Sequence, residues 1–279
     1  MPIFEKPPLE TLPPAKERWT PIFLEHGRLE VDDSSVKWIG ADRSVIRLPV
    51  ASLSAIMLGP GTTVTHAAMK ACAETNTPVC WVGADGMRFY SFGTTPTHDN
   101  SRARHQAALH ASRSKRQEVA RRMFCLRFGD QEMVAGKGIK TLMGLEGRRV
   151  KALYEEMGLK YGVSWKGRNY SPDNWHLADN INRAISAANA ALYALTTAIV
   201  CSMGYLPQLG FIHSAGTIPF VFDMADIYKP ETTLEAAFET LGLNPEANEQ
   251  DVLARLKFHI ERSRLRRRMP RDIQQLLDL

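Results

Sequence analysis

Between about Thr20 and Phe92, apolar and polar positions alternate in short runs: PIFLEHGRLEV, KWIG, RSVIRLPV and SAIMLG, separated by Asp-Asp, Ala-Asp and Gly-Pro-Gly breakers. A two-residue period sends successive side chains to opposite faces, so this half reads as mostly strand. One helix interrupts it. Thr62, Thr63 and Thr65 offer caps ahead of HAAMKACAE, whose Ala, Met and Cys positions recur at helical spacing. The strand PVCWVG follows, and a turn at Ala84-Asp85-Gly86 leads into MRFYSFG, where Gly86 supplies the positive φ of a tight hairpin.

The segment GTTPTHDNS ends the alternation and acts as a linker. Beyond it the period is helical: ARHQAALHASRSKRQEVARRMFCLRF, GIKTLMGLEGRRVKALYEEMGLKYG and ADNINRAISAANAALYALTTAIVCSMGYL, then two helices near the C-terminus. The third stretch is apolar nearly all round and is expected to run through the centre of the helical domain. The pattern predicts an α+β protein, with a β-rich domain over 1–97 carrying one short helix and an α-helical domain over 98–279. There is no internal repeat and no low-complexity tract.

A chain of 279 residues with 44% hydrophobic and 23% charged positions is an ordinary globular sequence of two-domain size. The Pro-rich start MPIFEKPPLETLPPAKERW lacks the apolar core of a secretory signal, and no uninterrupted apolar run approaches membrane-spanning length. A cytoplasmic protein with no membrane partner is expected. Cys72, Cys80, Cys125 and Cys201 form no closely spaced pair, which excludes zinc ribbons and leaves reduced core residues. The net charge of +5 favours a polyanionic partner. Its distribution matters more. Arg102, Arg104, Arg113, Lys115, Arg116, Arg121, Arg122 and Arg127 form one run and RSRLRRRMPR another, both on helical patterns, and about half of such residues are expected to be merely solvated. His98, His105 and His110 are expected to be exposed and metal-free.

The segment LGFIHSAGTIPFVFDMADIYKP sets His213, Asp223 and Asp226 among apolar residues, where a carboxylate needs a cation or a hydrogen-bond network to compensate lost hydration. Three residues apart on a helix, Asp223 and Asp226 share a face. Two readings stay open here: Asp223 caps a helix beginning after Phe222 and His213 is a hydrogen-bonded core histidine, or these side chains form a site. Glu146, in LMGLEGRRVKALY, is on one reading a solvated partner of neighbouring arginines. On the other it converges with His213 and an Asp to give an oxygen-rich, one-imidazole set suited to Mg²⁺ or Mn²⁺ and to phosphodiester chemistry.

Four stretches in order carry a resemblance over nearly the whole chain: IFLEHGRLEV; MLGPGTTVTHAAM with CWVGADGMRFYSFG; LEGRRVKALY; and INRAISAANAALY followed by GFIHSAGTIPFVFDMADIYKP. The chain resembles the Cas-one integrase family of CRISPR adaptation, in its type I-E branch. The resemblance implies a β-sandwich-like N-terminal domain and a helical catalytic domain with one divalent ion, Mg²⁺ or Mn²⁺, on Glu146, His213 and Asp226. Asp223 falls on a further acidic position of the catalytic set. It also implies a homodimer, two of which flank a dimer of the small Cas-two protein. The assembly inserts spacer-precursor DNA, double-stranded or branched, at the leader-repeat end of a CRISPR array, through attack of a 3′-hydroxyl on a phosphodiester.

Lys70 and Arg88 fall on basic DNA-contacting positions, and His26 stands where relatives carry a tyrosine that wedges against the last paired bases. Arg148 and Arg149 are further candidates for phosphate contacts, beside Lys151. No base-reading motif appears, as suits phosphate-based positioning of DNA of many sequences. Asn182 and Asn189, seven apart, share a face of the third helical stretch and, with Trp175, are candidates to support the site. Two departures matter. Ser214-Ala215-Gly216 replaces a lysine used in target recognition, and the chain stops at Leu279, short of a Pro-rich tail, so those contacts are expected to be absent or replaced. The rival readings are a stand-alone structure-specific nuclease and a non-catalytic DNA-binding scaffold.

Overall fold

The structure, a computed structural model, describes residues 20–32, 35–75, 77–83, 89–93, 100–168 and 179–278. The chain divides into two compact units, Met1–His105 with Ala194–Leu206, and Gln106–Tyr193 with Pro207–Leu279.

The first unit holds two four-stranded sheets. One orders β1 (Thr20–Leu24), β5 (Leu53–Leu58), β7 (Val79–Val82) and β8 (Phe89–Gly93); the other orders β4 (Val45–Leu48), β3 (Ser35–Gly40), β2 (Gly27–Asp32) and β6 (Thr62–Val64). β1, β5 and β7 are mutually parallel and β8 returns antiparallel to β7, so the expected hairpin is present, although its turn at 84–86 lies outside the described residues. Alternation places Leu24, Ile56, Leu58 and Val79 of one sheet in a single buried cluster with Leu29, Val36, Trp38 and Leu48 of the other, the sandwich core that period-two patterning dictates. The helix α1 (His66–Glu74) adds Ala68 and Cys72 to that core and is capped as expected, Thr65 accepting from the Ala68 amide at 3.2 Å.

The remaining helices are α2 (Ser101–Ala111), α3 (Arg113–Phe128), α4 (Ile139–Tyr161), α5 (Asn180–Ser202), α6 (Pro219–Tyr228), α7 (Glu235–Leu243), α8 (Glu249–Arg262) and α9 (Leu265–Leu277). Three of these differ from the pattern reading. The first helical stretch breaks at Ser112, whose extended backbone (φ −84°, ψ 114°) separates α2 from α3. Three helices rather than two follow α6, which runs through a π-helical turn at Pro230–Leu234 into α7. The residues of α5 from Ala194 onward fall in the first unit, so that helix does not lie wholly in the helical one. Its burial all round shows that it is covered without showing by what. By length and composition α5 is apolar enough to cross a membrane, which corrects the expectation that no run approaches that length; 83% of its most apolar window is buried, as in a core helix.

All four cysteines are free. Burial pushes the Cys72 thiol up to about 11 and those of Cys80 and Cys201 to about 12, so none is a thiolate at neutral pH.

Candidate active site

Within the second unit, a short loop and one helix form the centre of the site. Gly210 permits the loop's path, because a Cβ there would stand 2.6 Å from the His213 carbonyl oxygen and 2.8 Å from Pro219 Cβ. Pro219 opens α6, suiting a first-turn position where no amide hydrogen is needed. Asp223, one turn in, is fully buried and takes four hydrogen bonds: Oδ2 from the amides of Phe211 (2.6 Å) and Ile212 (3.1 Å), Oδ1 from the His213 amide (2.9 Å) and ring Nδ1–H (2.7 Å). It sits inside the helix, so the capping alternative is overturned. The loop's carbonyls are gripped from α2 and α3. Gln106 donates to Leu209 O at 3.0 Å, His110 to Gly210 O at 2.8 Å and Arg116 to Phe211 O at 3.2 Å. His110 is half-buried, which corrects the expectation of exposure.

A carboxylate on Nδ1 fixes the imidazole tautomer and leaves Nε2 as the outward atom. Nε2 lies 3.8 Å from Asp226 Oδ2. The hydrogen bond to Asp223 pushes the His213 pKa up, with burial opposing and the charge of Asp226 adding. On its other oxygen, Asp226 accepts from Lys229 Nζ at 2.5 Å, and that ammonium also donates to Tyr193 Oη at 2.6 Å. Burial works against the charge on Lys229, but Asp226 and Tyr193 outweigh it and hold the ammonium above its ordinary pKa.

Glu146 reaches this group through Arg127. The guanidinium, its side chain 2% exposed, donates from Nη1 to both Glu146 oxygens (2.7 and 2.8 Å) and from Nη2 to the Asp223 carbonyl (2.8 Å), and Nη2 stands 3.6 Å from Asp226 Oδ2. Phe124, Leu142 and Val134 pack beneath it with Leu145 and Ile212, and the Phe124 ring faces the guanidinium at 5.7 Å. The structure thus brings His213, Asp223 and Asp226 together directly and links Glu146 to them by one shared cation. Among the described residues no three Asp, Glu, His or Cys side chains converge tightly enough to bind one ion together, because Glu146 is turned onto Arg127. The donor set nonetheless suits a divalent ion. Two ligands at ~2.1 Å from one ion sit roughly 3 to 4 Å apart, the separation of Nε2 and Oδ2.

On α4, Gly144 and Gly147 flank Glu146, and a Cβ on either would meet nothing within 4 Å. Each mid-helix glycine costs roughly 1 kcal/mol against alanine, and here the pair leaves the helix face beside Glu146 bare. Next to it, Gly147, Lys151, Tyr154, Trp165, Lys166 and Arg168 line a groove of about 480 Å³, its floor formed by Tyr154 and Trp165 stacked 4.5 Å apart. Burial raises the Tyr154 pKa, with Arg168 and Lys229 opposing and Asp226 adding, so the groove borders the carboxylate cluster.

The family model for CRISPR associated protein Cas1 matches residues 22–137 and 127–244. The chain belongs to the Cas1 family. It is 49% identical over 229 residues to the CRISPR-associated endonuclease Cas1 2 of Chlorobaculum tepidum, covering 82% of this chain and 77% of the relative. It is 40% identical over 241 residues to the CRISPR-associated endonuclease Cas1 of Escherichia coli K12, covering 86% and 78%. The crystal structure of a TtCas1–DNA complex superposes with a TM-score of 0.88 at 36% identity, covering 96% of this chain and 99% of that one. The strand-rich N-terminal region followed by a helical C-terminal region is the Cas1 architecture.

In this Cas1 family member the basic residues divide by what they touch. Arg102, Arg116, Arg122 and Arg127 are committed to the protein's own carbonyls and carboxylates, whereas Arg104, Arg113, Lys115 and Arg121 are exposed. Arg148 is exposed; Arg149 donates to the Arg127 carbonyl and lies over Phe128, so part of its role is internal. Lys70 is exposed on α1, 3.9 Å from Glu74. His26 occupies a left-handed turn (φ 54°) between β1 and β2 with its ring exposed. Arg88 and Trp175 lie outside the described residues. Asn182 is bonded to Asp179, Gly167 and Arg168, while Asn189 Oδ1 is buried without an acceptor's partner. Pattern reading missed Arg127 and Lys229. The signal for the first was an arginine embedded in FCLRF, and for the second a lysine one turn after Asp226.

Proposed function

We propose that this chain is a divalent-metal-dependent DNA endonuclease and integrase of CRISPR adaptation, in the type I-E branch. It acts in the cytoplasm as a homodimer, two dimers assembling with a Cas-two protein, and joins the 3′-hydroxyl of spacer-precursor DNA to the leader-repeat junction by transesterification. The observation that carries the reading is the His213 ring, held at Nδ1 by a fully buried Asp223 so that Nε2 faces Asp226. Buried carboxylates on the far nitrogen are the usual support of metal-ligating histidines. Family membership, and the solved Cas1 relative that holds DNA, support the substrate class. The four sequence stretches quoted above support the branch and the Cas-two partnership.

Asp226, His213 and Glu146 would hold Mg²⁺ or Mn²⁺. The bound ion polarises the scissile phosphodiester and lowers the pKa of the attacking hydroxyl. The protein's own groups do the rest. Asp223 sets the tautomer, Lys229 anchors Asp226, and the bare face at Gly144 and Gly147 admits a phosphate beside Glu146. Arg148 and Lys151, exposed on the same helix, neutralise flanking phosphates.

The test uses purified protein, its Cas-two partner, Mn²⁺, labelled duplex oligonucleotide and a supercoiled repeat plasmid. Joined product is expected from the wild type, and none from Glu146→Gln or Asp226→Asn with DNA binding retained. Nicking without joining identifies the stand-alone nuclease. Joining that survives in both variants removes the assignment. Amide variants are chosen over alanine because Arg127 is buried and would lose its acceptor altogether.

A further inference from the structure

Arg127 is a charged group at the centre of the site whose contacts all point one way. Nη1 and Nη2 face Glu146, the Asp223 carbonyl and Asp226, whereas Nε, equally buried, finds no acceptor. A buried guanidinium held for packing alone satisfies its stem nitrogen as well as its fork. This one is placed by the carboxylates. Glu146, Asp223 and Asp226 bring three negative charges, and Arg127 and Lys229 answer with two positive ones. Asp223 is fully engaged by amides and His213, and Lys229 takes the far oxygen of Asp226, so Arg127 is the cation between Glu146 and the Asp226 oxygen nearest His213. While Glu146 rests on Arg127, no three ligands converge among the described residues.

We infer that Arg127 is a resident counter-cation, which holds Glu146 in the metal-free site and yields it to the divalent ion, so that metal binding exchanges one cation for another. The inference rests on the metal-site reading above. It makes Arg127 a positioning residue that opposes binding of the ion while keeping the empty site from repelling itself apart. At an effective dielectric of about 20, a unit charge roughly 6 Å from a divalent ion weakens its binding by well over one decade.

Mn²⁺ binding is measured by calorimetry without DNA, together with melting temperature, for the wild type, Arg127→Met, Arg127→Lys and His213→Ala. Arg127→Met is expected to bind Mn²⁺ at least about tenfold more tightly. It should melt lower without metal and gain more from added Mn²⁺ than the wild type does. Arg127→Lys, which keeps the charge, should stay near the wild type. Unchanged or weaker Mn²⁺ affinity in Arg127→Met overturns the inference. If that variant fails to fold, crystals of the wild type grown with and without Mn²⁺ decide. The Glu146–Arg127 bonds at 2.7 and 2.8 Å should open when the ion is bound, and their persistence beside a bound ion overturns the exchange. A wild type that binds no Mn²⁺, or a His213→Ala variant that binds it equally well, removes the metal-site reading instead.

Discussion

Asp223→Asn isolates the buried carboxylate that organises the site. Its oxygens accept four hydrogen bonds, three from consecutive amides and one from the His213 ring, at 2.6 to 3.1 Å. An amide side chain keeps the shape but turns one acceptor into a donor. If the nitrogen faces Phe211 and Ile212, two backbone donors lose their acceptor. If it faces His213, the ring must present a bare Nδ1, and Nε2 then carries the proton and ceases to be a lone-pair donor. A hydrogen bond to a charged group is worth about 1.5 to 3 kcal/mol, and an unsatisfied buried donor costs about 1 to 3 kcal/mol more. The expected destabilisation is about 3 to 5 kcal/mol, or a fall in Tm of about 10 °C for a chain of this size. Calorimetric melts of the variant, the wild type and His213→Ala test it. His213→Ala should lose under about 3 °C, because its side chain is 39% exposed and it removes a single bond. A melt of Asp223→Asn within about 2 °C of the wild type would refute the claim that this carboxylate holds the loop.

Two further outcomes follow from features away from the site. Glu235 accepts from Lys160 Nζ and Tyr161 Oη; burial raises its pKa, but these partners outweigh it and hold the carboxyl below its ordinary 4.5. A depressed folded-state value means the stabilisation is complete above pH 4.5 and is lost as pH falls through the folded pKa. Melts between pH 6 and pH 3 should therefore show a smaller acid loss in Glu235→Gln than in the wild type, and parallel curves would contradict the linkage. At the start of α8, Asn248 accepts from the Gln250 and Asp251 amides while Asp251 accepts from the Asn248 amide, a reciprocal cap. Asn248→Ala should cost about 1 kcal/mol in chemical denaturation, and no change would show that the helix end is held by other contacts.

The strand-rich half was legible because alternation is a local signal: Leu29, Val36 and Trp38 are buried where the period puts them. The split at Ser112 was not, because a serine between alanine and arginine is compatible with both a helix interior and a cap. In the site, His213, Asp223 and Asp226 stood out as polar residues in an apolar run. Arg127 did not, because it closes a run of basic residues that reads as a phosphate-binding face. Its burial comes from the packing of α3 on α4 and α6, a contact between elements far apart in sequence. For the same reason Arg149 reads as a surface cation, although it bonds the Arg127 carbonyl.

The clamp on the loop has a consequence for how this enzyme can diversify. Asp223 anchors positions 211 to 213, and Pro219 restarts regular structure six residues after the imidazole. The intervening stretch, with its left-handed Gly216 and exposed Ser214 to Gly216 neighbourhood, hangs between two fixed points. Substitutions or small length changes there leave the reacting groups where they are, so selection can retune what this arm touches without reopening the problem of catalysis.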